Sequence, residues 1–417
     1  MDPILPLRRN RNYHLLWTSQ ALSELGAQIS VFALPLLVLQ LTGSAAYAGL
    51  VGAVSAVTRL VVLVPTGALV DRWNRKHVML VCEAVRVPAL AGLAFGVTAG
   101  AVPFACLLAV AVIDGTATAM FAPAEEAALP QVVAEHQLST AVAANAARGY
   151  LAALIGPGAA GFLLAAGKAL PFLANAAACL ASCGLIGFVR LKAGRSRESS
   201  SLVDEIRDGF QWIWRRPVIR AGLAVAAVVS VAFNALYLIV LTIAERAGMP
   251  AGRIGAIGMI IGASGVVGAL AAPFANRVLS PRTAILGLSW LSAGCTPLLA
   301  VVDAYYLLGA VLAILALAAP TVQTGIVAYQ ISSTPDRLRG RVSAALGLAG
   351  GAAGAAGPLL GGGLIDLAGR TVAVLTCAGI LLLAGAAATF SRALRSFTST
   401  RPDPAEDRPG AAPRPGG

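Results

Sequence analysis

Six charged residues stand inside long apolar runs of this 417-residue sequence, and their side chains have the greatest capacity for chemistry. A charge in hydrocarbon is costly, so each of them should face a partner or a water-filled path. A buried carboxylate there can bind and release a proton, and a nearby arginine favours its charged form. The six residues are Glu24, Arg59, Glu83, Arg86, Asp114 and Arg148.

Three of these charges lie at similar depths in the first, second and fourth apolar runs, and we predict that together they bind and release protons. Glu24 and Arg59 would form a movable contact that switches the carboxylate between charged and neutral forms, and Asp114 is the alternative carrier. Glu83 and Arg86 are three residues apart and share one face of a helix. We predict that this second set is a structural ion pair.

The composition fits a protein that lives in a bilayer. Apolar residues make up 58% of the chain and charged residues 12%, and the mean hydropathy is +0.79. Soluble domains carry roughly 25% charged residues. This excludes a soluble enzyme, a disordered tail protein and, despite the net charge of +12, a nucleic-acid binder. The alternation of apolar runs and polar breaks predicts an all-α integral membrane protein with twelve transmembrane helices in two six-helix bundles.

The sequence repeats itself, which supports two bundles. Ala134–Gly158 aligns with Pro335–Leu359, so that Gly156-Pro157 falls on Gly357-Pro358.

The fourth span is predicted to end near residue 122. The predicted division is a first bundle over 1–189, a cytoplasmic linker with an amphipathic helix over 190–217, a second bundle over 218–395, and a disordered cytoplasmic tail over 396–417.

Lysine and arginine are distributed unequally between the two sets of connecting loops. Of the 31 basic residues, 24 fall on the side that carries both termini and four on the other side. Because basic loops are retained in the cytoplasm, both termini are predicted to be cytoplasmic. The first apolar run is too long for a cleaved signal peptide. We expect a multi-pass protein of the bacterial inner (plasma) membrane.

The most specific motif lies in the short link between the second and third helices. Gly67 is followed by Asp71 and Arg72, and then by Arg75 and Lys76. This spacing resembles the signature of the major facilitator superfamily, and all five residues match it. The resemblance implies a gate motif, in which the acid and the arginines hold the two bundles together in the outward-open state.

Other segments resemble the enterobactin-exporter and macrolide-efflux branch of that superfamily. They are Arg8 to Tyr13, Phe121-Ala-Pro123, Ala128-Leu-Pro130 and Pro335 to Arg341. The resemblance implies a secondary active transporter for the proton-coupled efflux of a lipophilic small molecule such as a drug, siderophore or secondary metabolite, and hence a role in multidrug resistance.

The fifth helix resembles the Gly-Pro motif that is typical of antiporters. It contains Gly156-Pro157 and Gly161, which follow Arg148 on the same apolar run, although Ala160 replaces the first glycine of the closing pair. The resemblance implies export by antiport. In that family the motif is thought to act through its proline kink.

Polar but uncharged residues are the candidates for the wall of the substrate path: Asn145, Asn234, Tyr237 and Gln323. A nutrient importer or an uncoupled facilitator remains an alternative, and a membrane sensor or an intramembrane enzyme is a further one. None of the three lysines stands in a phosphate-binding loop, and the three histidines form no zinc motif. We therefore expect no enzyme activity, no metal and no cofactor, a proton gradient as energy source, and a monomer.

Overall fold

The computed structural model describes residues 7–191, 211–302, 304–334 and 338–395, and nearly all of them are helical. Helices are expected because a backbone in lipid must satisfy its hydrogen bonds internally. Within these ranges, eleven helical stretches are long and apolar enough to cross a membrane. The last has 50 residues and is broken at Gly369, so it supplies two spans. The predicted twelve-helix, all-α membrane fold is confirmed.

The first half of the molecule consists of six helices joined by short loops. Asn10 begins the first of them, because its side chain accepts a hydrogen bond from the Tyr13 backbone N–H. The helices are α1 (Arg11–Thr42), α2 (Ala45–Arg72), α3 (Arg75–Thr98), α4 (Phe104–Val132), α5 (Leu138–Ala166) and α6 (Leu170–Phe188).

The second half repeats this arrangement. Its helices are α7 (Pro217–Arg246), α8 (Ala251–Val278), α9 (Pro281–Cys295), α10 (Tyr305–Ser333), and α11 and α12, which are the parts of Arg339–Phe390 before and after Gly369. Gly369 has a φ of 75°, in the left-handed region that glycine adopts without steric cost. The chain therefore reverses there without a longer loop.

Helix α4 is longer than the sequence predicts, and the predicted end near residue 122 is wrong. The helix continues through Pro123 and Pro130 to Val132. Proline is tolerated within membrane helices because neighbouring groups satisfy the freed carbonyls. The extension adds Glu125 to the buried residues of the helix.

The two ends of the molecule are packed differently. We call the end where α1 begins the terminal end, and the end where α1 meets α2 the far end. Near the far end a single apolar core joins both halves, and it includes Phe32 and Leu36 of α1 and Leu236 and Ile239 of α7. Towards the terminal end each half has its own core instead, around residues such as Met79 in the first half.

Close backbone contacts seal the two halves together at the far end. Helix α5 packs on α8 so tightly that a Cβ atom at Gly161 would lie 2.6 Å from the Ala251 carbonyl oxygen. Helix α2 meets α11 in the same way, where Gly49 faces Pro358. Small residues allow membrane helices to approach this closely. Gly149 of α5 and Gly265 of α8, which lie nearer the terminal end, meet no such neighbour, so the closest backbone contacts between the halves lie towards the far end.

Several predicted features lie outside the described residues. The tail from residue 396 and most of the predicted linker helix, Ser201–Arg216, belong to them. Helix α2 carries Gly67, Asp71 and Arg72 in its last turns, but their side chains are not among those described.

Candidate coupling site and translocation path

The first cluster of buried charges surrounds Arg86 on α3. Its Nε donates to Asp114 Oδ1 of α4 at 2.8 Å, and its terminal nitrogen donates to Ser23 Oγ of α1 at 3.0 Å. The predicted pair with Glu83 is confirmed, at 3.4 Å, but it is the longer of the two ion pairs. One arginine therefore joins three helices and serves two carboxylates. Its other terminal nitrogen has no hydrogen-bond partner within the described ranges.

The second cluster surrounds Arg148 on α5, nearer the terminal end. Arg148 donates to Glu125 Oε1 of α4 at 2.6 Å and to the Gln20 side-chain oxygen of α1. Asn145, a predicted wall residue, lies one turn away and accepts a longer hydrogen bond of 3.4 Å. Arg148 and Glu125 are both nearly inaccessible, so each charge depends on the other for its stability.

A cavity of about 170 Å³ lies between the halves and collects four of the predicted residues. Arg59 and Asp114 line it from the first half, and Asn234 and Tyr237 line it from the second. Asp114 thus belongs both to the cavity wall and to the Arg86 cluster, with 16% of its side chain exposed. A ligand bound in this cavity would therefore lie beside the carboxylate that pairs with Arg86.

The expected contact between Glu24 and Arg59 does not form in this structure. Glu24 accepts a 3.5 Å hydrogen bond from Gln28, one turn further along α1, and among the described residues no ion pair joins it to Arg59. Arg59 instead lies in the cavity wall with Asp114. Glu24 and Arg59 have similar predicted depths in the membrane, but the rotation of each helix about its axis keeps their side chains apart.

A larger cavity, of about 600 Å³, lies within the second half. Helices α7, α9, α10, α11 and α12 line it, and the predicted wall residue Gln323 is part of it. Its other lining side chains are apolar or small, with serines and Gln330 as the remaining polar groups. Within the described ranges, no charged side chain lines it.

The far end is closed by a polar contact that we call the clasp, formed by Asp366, Ser44, Ala46 and Arg246. The Asp366 carboxylate of α11 accepts from Ser44 Oγ at 2.6 Å and from the Ala46 backbone N–H at 2.8 Å. It therefore caps the N-terminus of α2 from the other half of the molecule. Arg246 at the end of α7 pairs with the same carboxylate.

The described part of the gate motif contacts backbone carbonyl groups of two helices within the first half. Arg75 donates to the Ala127 carbonyl oxygen of α4 at 2.8 Å. Lys76 donates to the carbonyl oxygens of Gly187 and Val189 at the end of α6, at 2.7 and 2.9 Å. Lys76 thus satisfies carbonyl groups at the end of α6, whereas Arg75 contacts α4 five residues before its end.

The helix-five motif forms part of the seal between the halves. The Pro157 carbonyl oxygen lies 2.7 Å from where a Cβ atom at Gly255 of α8 would stand. Gly156 faces α1 instead, where a Cβ atom would be 2.6 Å from that of Gln28. The motif thus lets α5 approach one helix of each half.

Sequence reasoning missed Glu125, Gln20 and the clasp residue Asp366. Glu125 follows Pro123 and precedes a second glutamate, a pattern that suggests a helix end rather than a buried charge. Gln20 is an uncharged residue in an apolar run, where its burial could have indicated a partner. Asp366 lies at the very end of a predicted span and has no partner nearby in sequence.

Twelve apolar helices in two repeated halves, with buried charges in one half and a path closed at one end, define a secondary transporter of the membrane. The chain belongs to the major facilitator superfamily, in the family described as "Transmembrane secretion effector", whose model matches residues 1–412. This family consists of transporters rather than enzymes.

Two relatives are both described as efflux pumps. The chain is 28% identical to "Multidrug efflux pump Tap" of Mycolicibacterium fortuitum over 392 residues, which cover 89% of this chain and 93% of that protein. It is 29% identical to "Multidrug efflux pump Tap" of Mycobacterium tuberculosis over 417 residues, which cover 95% and 96%.

Solved structures confirm the fold. A bacterial homologue of the human lysosomal transporter Spinster, in an inward-facing and unoccupied conformation, matches with a TM-score of 0.72 at 15% identity, over 95% of this chain and 99% of that one. A mutant of the nucleoside transporter NupG matches with a TM-score of 0.75 at 13% identity, over 91% and 100%.

Proposed function

We propose that this chain exports lipophilic small molecules, including drugs, across the bacterial inner membrane by alternating access, in exchange for protons. The similarity to two multidrug efflux pumps over nearly their whole length supports export. The apolar lining of both cavities favours lipophilic substrates over sugars, which need many polar partners. We expect the working unit to be a monomer in the bilayer, with no cofactor.

The position of Asp114 is the observation that carries the coupling. Its carboxylate lines the cavity between the halves and also pairs with Arg86. A proton on Asp114 removes its charge, so Arg86 turns to Glu83 and Ser23, its other partners in the structure. Protonation thus weakens a contact between α3 and α4 beside the path and changes the relative stability of the two states of the transporter. A substrate that binds one of these states more tightly is coupled to the proton through this equilibrium, without sharing its site.

The second cluster supports the movement of protons towards the terminal end. Glu125 and Arg148 form a buried pair there, and Glu24 lies near enough to Glu125 for their charges to interact. A proton that binds to either carboxylate therefore changes the net charge of this group of two carboxylates and one arginine. Glu24 therefore keeps its predicted role in coupling, with Glu125 rather than Arg59 as its electrostatic neighbour.

The orientation of the chain follows from its basic residues. With the terminal end in the cytoplasm, 24 of 31 lysines and arginines face inward. The closed far end then faces outward, which corresponds to an inward-facing state. Cysteines introduced one at a time at Leu41 and at Ser199, in a background without native cysteines, test this. An impermeant maleimide added to intact cells should label Leu41→Cys but not Ser199→Cys. The reverse pattern contradicts the orientation.

Transport by proteoliposomes tests the function. A lipophilic compound without titratable groups should accumulate in the more acidic compartment when a pH gradient is imposed. Asp114→Asn should abolish this uphill transport but keep downhill counterflow, because only coupling needs the proton. Glu245→Gln, which removes a carboxylate at the far end outside both clusters, is the control and should behave like the parent. Full uphill transport by both Asp114→Asn and Glu24→Gln would contradict coupling through the first half.

A further inference from the structure

The two halves can be compared position by position, because their third helices begin alike. Asn74 caps α3 and Ser280 caps α9, each through its side chain. Counted from these caps, Glu83 and Ser289 are the ninth residues, and Arg86 and Ser292 are the twelfth. The ion pair of the first half is therefore matched by two serines in the second.

The same correspondence holds on the other helices. Asp114 and Leu315 are each ten residues past the start of α4 and α10, and Glu125 and Ile326 are each twenty-one residues past it. On α1 and α7, counted likewise, the charge-binding residues Gln20 and Ser23 correspond to Ala226 and Val229. Every polar or charged member of the first-half clusters on these helices is thus replaced by a smaller or apolar residue, or by a serine.

All of these second-half residues line the large cavity, namely Ala226, Val229, Ser289, Ser292, Leu315 and Ile326. The counterparts of Arg86 and of the three carboxylates Glu83, Asp114 and Glu125 thus surround an empty space of about 600 Å³ in the second half. This is the size of pockets that hold drug-sized molecules. We infer that this cavity within the second half, rather than the smaller cavity between the halves, is the principal binding site for a neutral lipophilic substrate.

The polar groups of the cavity indicate the ligand's chemistry. Ser289 and Ser292 donate their hydroxyl protons to carbonyl oxygens of their own helix, at 2.8 and 2.6 Å. Gln330 donates to Ser343 at 2.9 Å, so the Ser343 hydroxyl keeps its own proton for a ligand. Gln323 forms no hydrogen bond among the described residues and offers a free amide. These donors suit a mostly apolar molecule with carbonyl or ether oxygens.

An ionised ligand fits the cavity poorly. No charged side chain of the described residues lines it, and a charge moved from water into such a site without a partner carries a large free-energy penalty. The inference rests on the proposed function, since it assigns export substrates to this cavity. It also separates the two tasks: protons bind to the charged first half, and the substrate binds to the uncharged second half.

Two glycines allow the cavity to be filled without disturbing the backbone. Gly347 and Gly350 of α11 line it, and a Cβ atom at either position meets no atom within 4 Å. Leucine there extends into the cavity and also favours the helix. Gly379 of α12 is equally open but does not line the cavity, so Gly379→Leu is a matched control.

Binding of tritiated progesterone, a neutral steroid with two carbonyl oxygens, to the purified full chain in lipid nanodiscs tests the inference. We expect displaceable binding that Gly350→Leu and Gly347→Leu each weaken by about tenfold or more, and that Gly379→Leu leaves unchanged. Tetraphenylphosphonium, a permanent cation, should not displace the steroid. Absence of displaceable binding, equal affinity in the filled variants, equal weakening by the control, or displacement by the cation would each overturn the inference.

A labelling experiment locates the ligand independently of affinity. In a background without native cysteines, progesterone should slow the reaction of Ser343→Cys with N-ethylmaleimide, and it should leave Ser264→Cys, which lies outside the cavity, unaffected. Equal rates for Ser343→Cys with and without steroid overturn the site. Neither measurement uses a proton gradient. Progesterone binding at this cavity without uphill transport would therefore contradict the proposed function alone. Uphill transport by the parent, together with unaltered progesterone binding by Gly347→Leu and Gly350→Leu, would contradict this site alone.

Discussion

Removal of the charge of Asp366 should shift the molecule away from the state in which its far end is closed. The Asp366 carboxylate caps α2 and pairs with Arg246 across the two halves, and both contacts are lost when the far end opens. Asparagine can still accept hydrogen bonds from Ser44 and Ala46, but it has no charge for Arg246 or for the helix N-terminus. The variant therefore changes the difference in free energy between two states of the transporter.

The size of the shift follows from the geometry. A helix cap contributes about 0.5–2 kcal/mol, of which the charge supplies a part. The ion pair contributes under about 1 kcal/mol, because 42% of the Arg246 side chain is exposed and solvent screens it. Loss of about 1–2 kcal/mol in total changes the ratio of inward-facing to outward-facing molecules by roughly 5–30-fold.

Distances between spin labels measure this ratio directly. Labels on cysteines at Leu41 and Leu367, which are exposed at the far end on opposite halves, should show a short distance in the parent and a larger population of long distances in Asp366→Asn. Ser44→Ala, which removes one hydrogen bond, should give a smaller shift in the same direction. Glu245→Gln removes a nearby carboxylate outside the clasp and should change nothing. An unaltered distance distribution in Asp366→Asn would refute the reasoning.

Three further predictions concern the seal, the second cluster and the gate. Gly161→Leu places a side chain against the α8 backbone, so it should hold the far end open and abolish counterflow while the protein still elutes as a monomer; normal counterflow would contradict the tight seal. Arg148→Gln leaves Glu125 buried without its partner and should destabilise the protein by about 3–5 kcal/mol, seen as a lower melting temperature in detergent that is partly restored when Glu125→Gln is added. Asp71→Asn should preserve membrane insertion but reduce transport severely, as the gate motif implies; transport at the rate of the parent would exclude a latch at this position.

The fold could be predicted because its causes are local. Apolar runs of sufficient length and basic loops identify membrane helices without knowledge of their packing. The pair of Glu83 and Arg86 could also be predicted from the sequence, because residues three apart on a helix are neighbours. The shorter contact of Arg86 with Asp114 could not be predicted, since it joins two helices and depends on how each helix is rotated about its axis.

Other parts of the site depend on information that a sequence does not contain. Glu125 was missed because proline usually ends helices in water, whereas in a membrane bundle the helix continues to Val132. The clasp of Asp366 exists only when the far end is closed, so it belongs to one state of the molecule rather than to the sequence pattern. The large cavity is evident only when the two halves are compared in three dimensions.

The glycine contact between α5 and α8 has a consequence for the speed of the cycle. Most helices pack by inserting ridges of side chains into grooves, and movement between such helices requires many side chains to change rotamer. At Gly161 and Gly255 two backbones touch instead, and a smooth surface of this kind offers little friction to sliding. The exposed contact of Asp366 with Arg246 then adds a small contribution to the barrier to opening, under about 1 kcal/mol, that depends on salt. Salt outside the cell screens exposed charges, so it should accelerate the transition from the inward-facing to the outward-facing state. Salt in the cytoplasm should not have this effect.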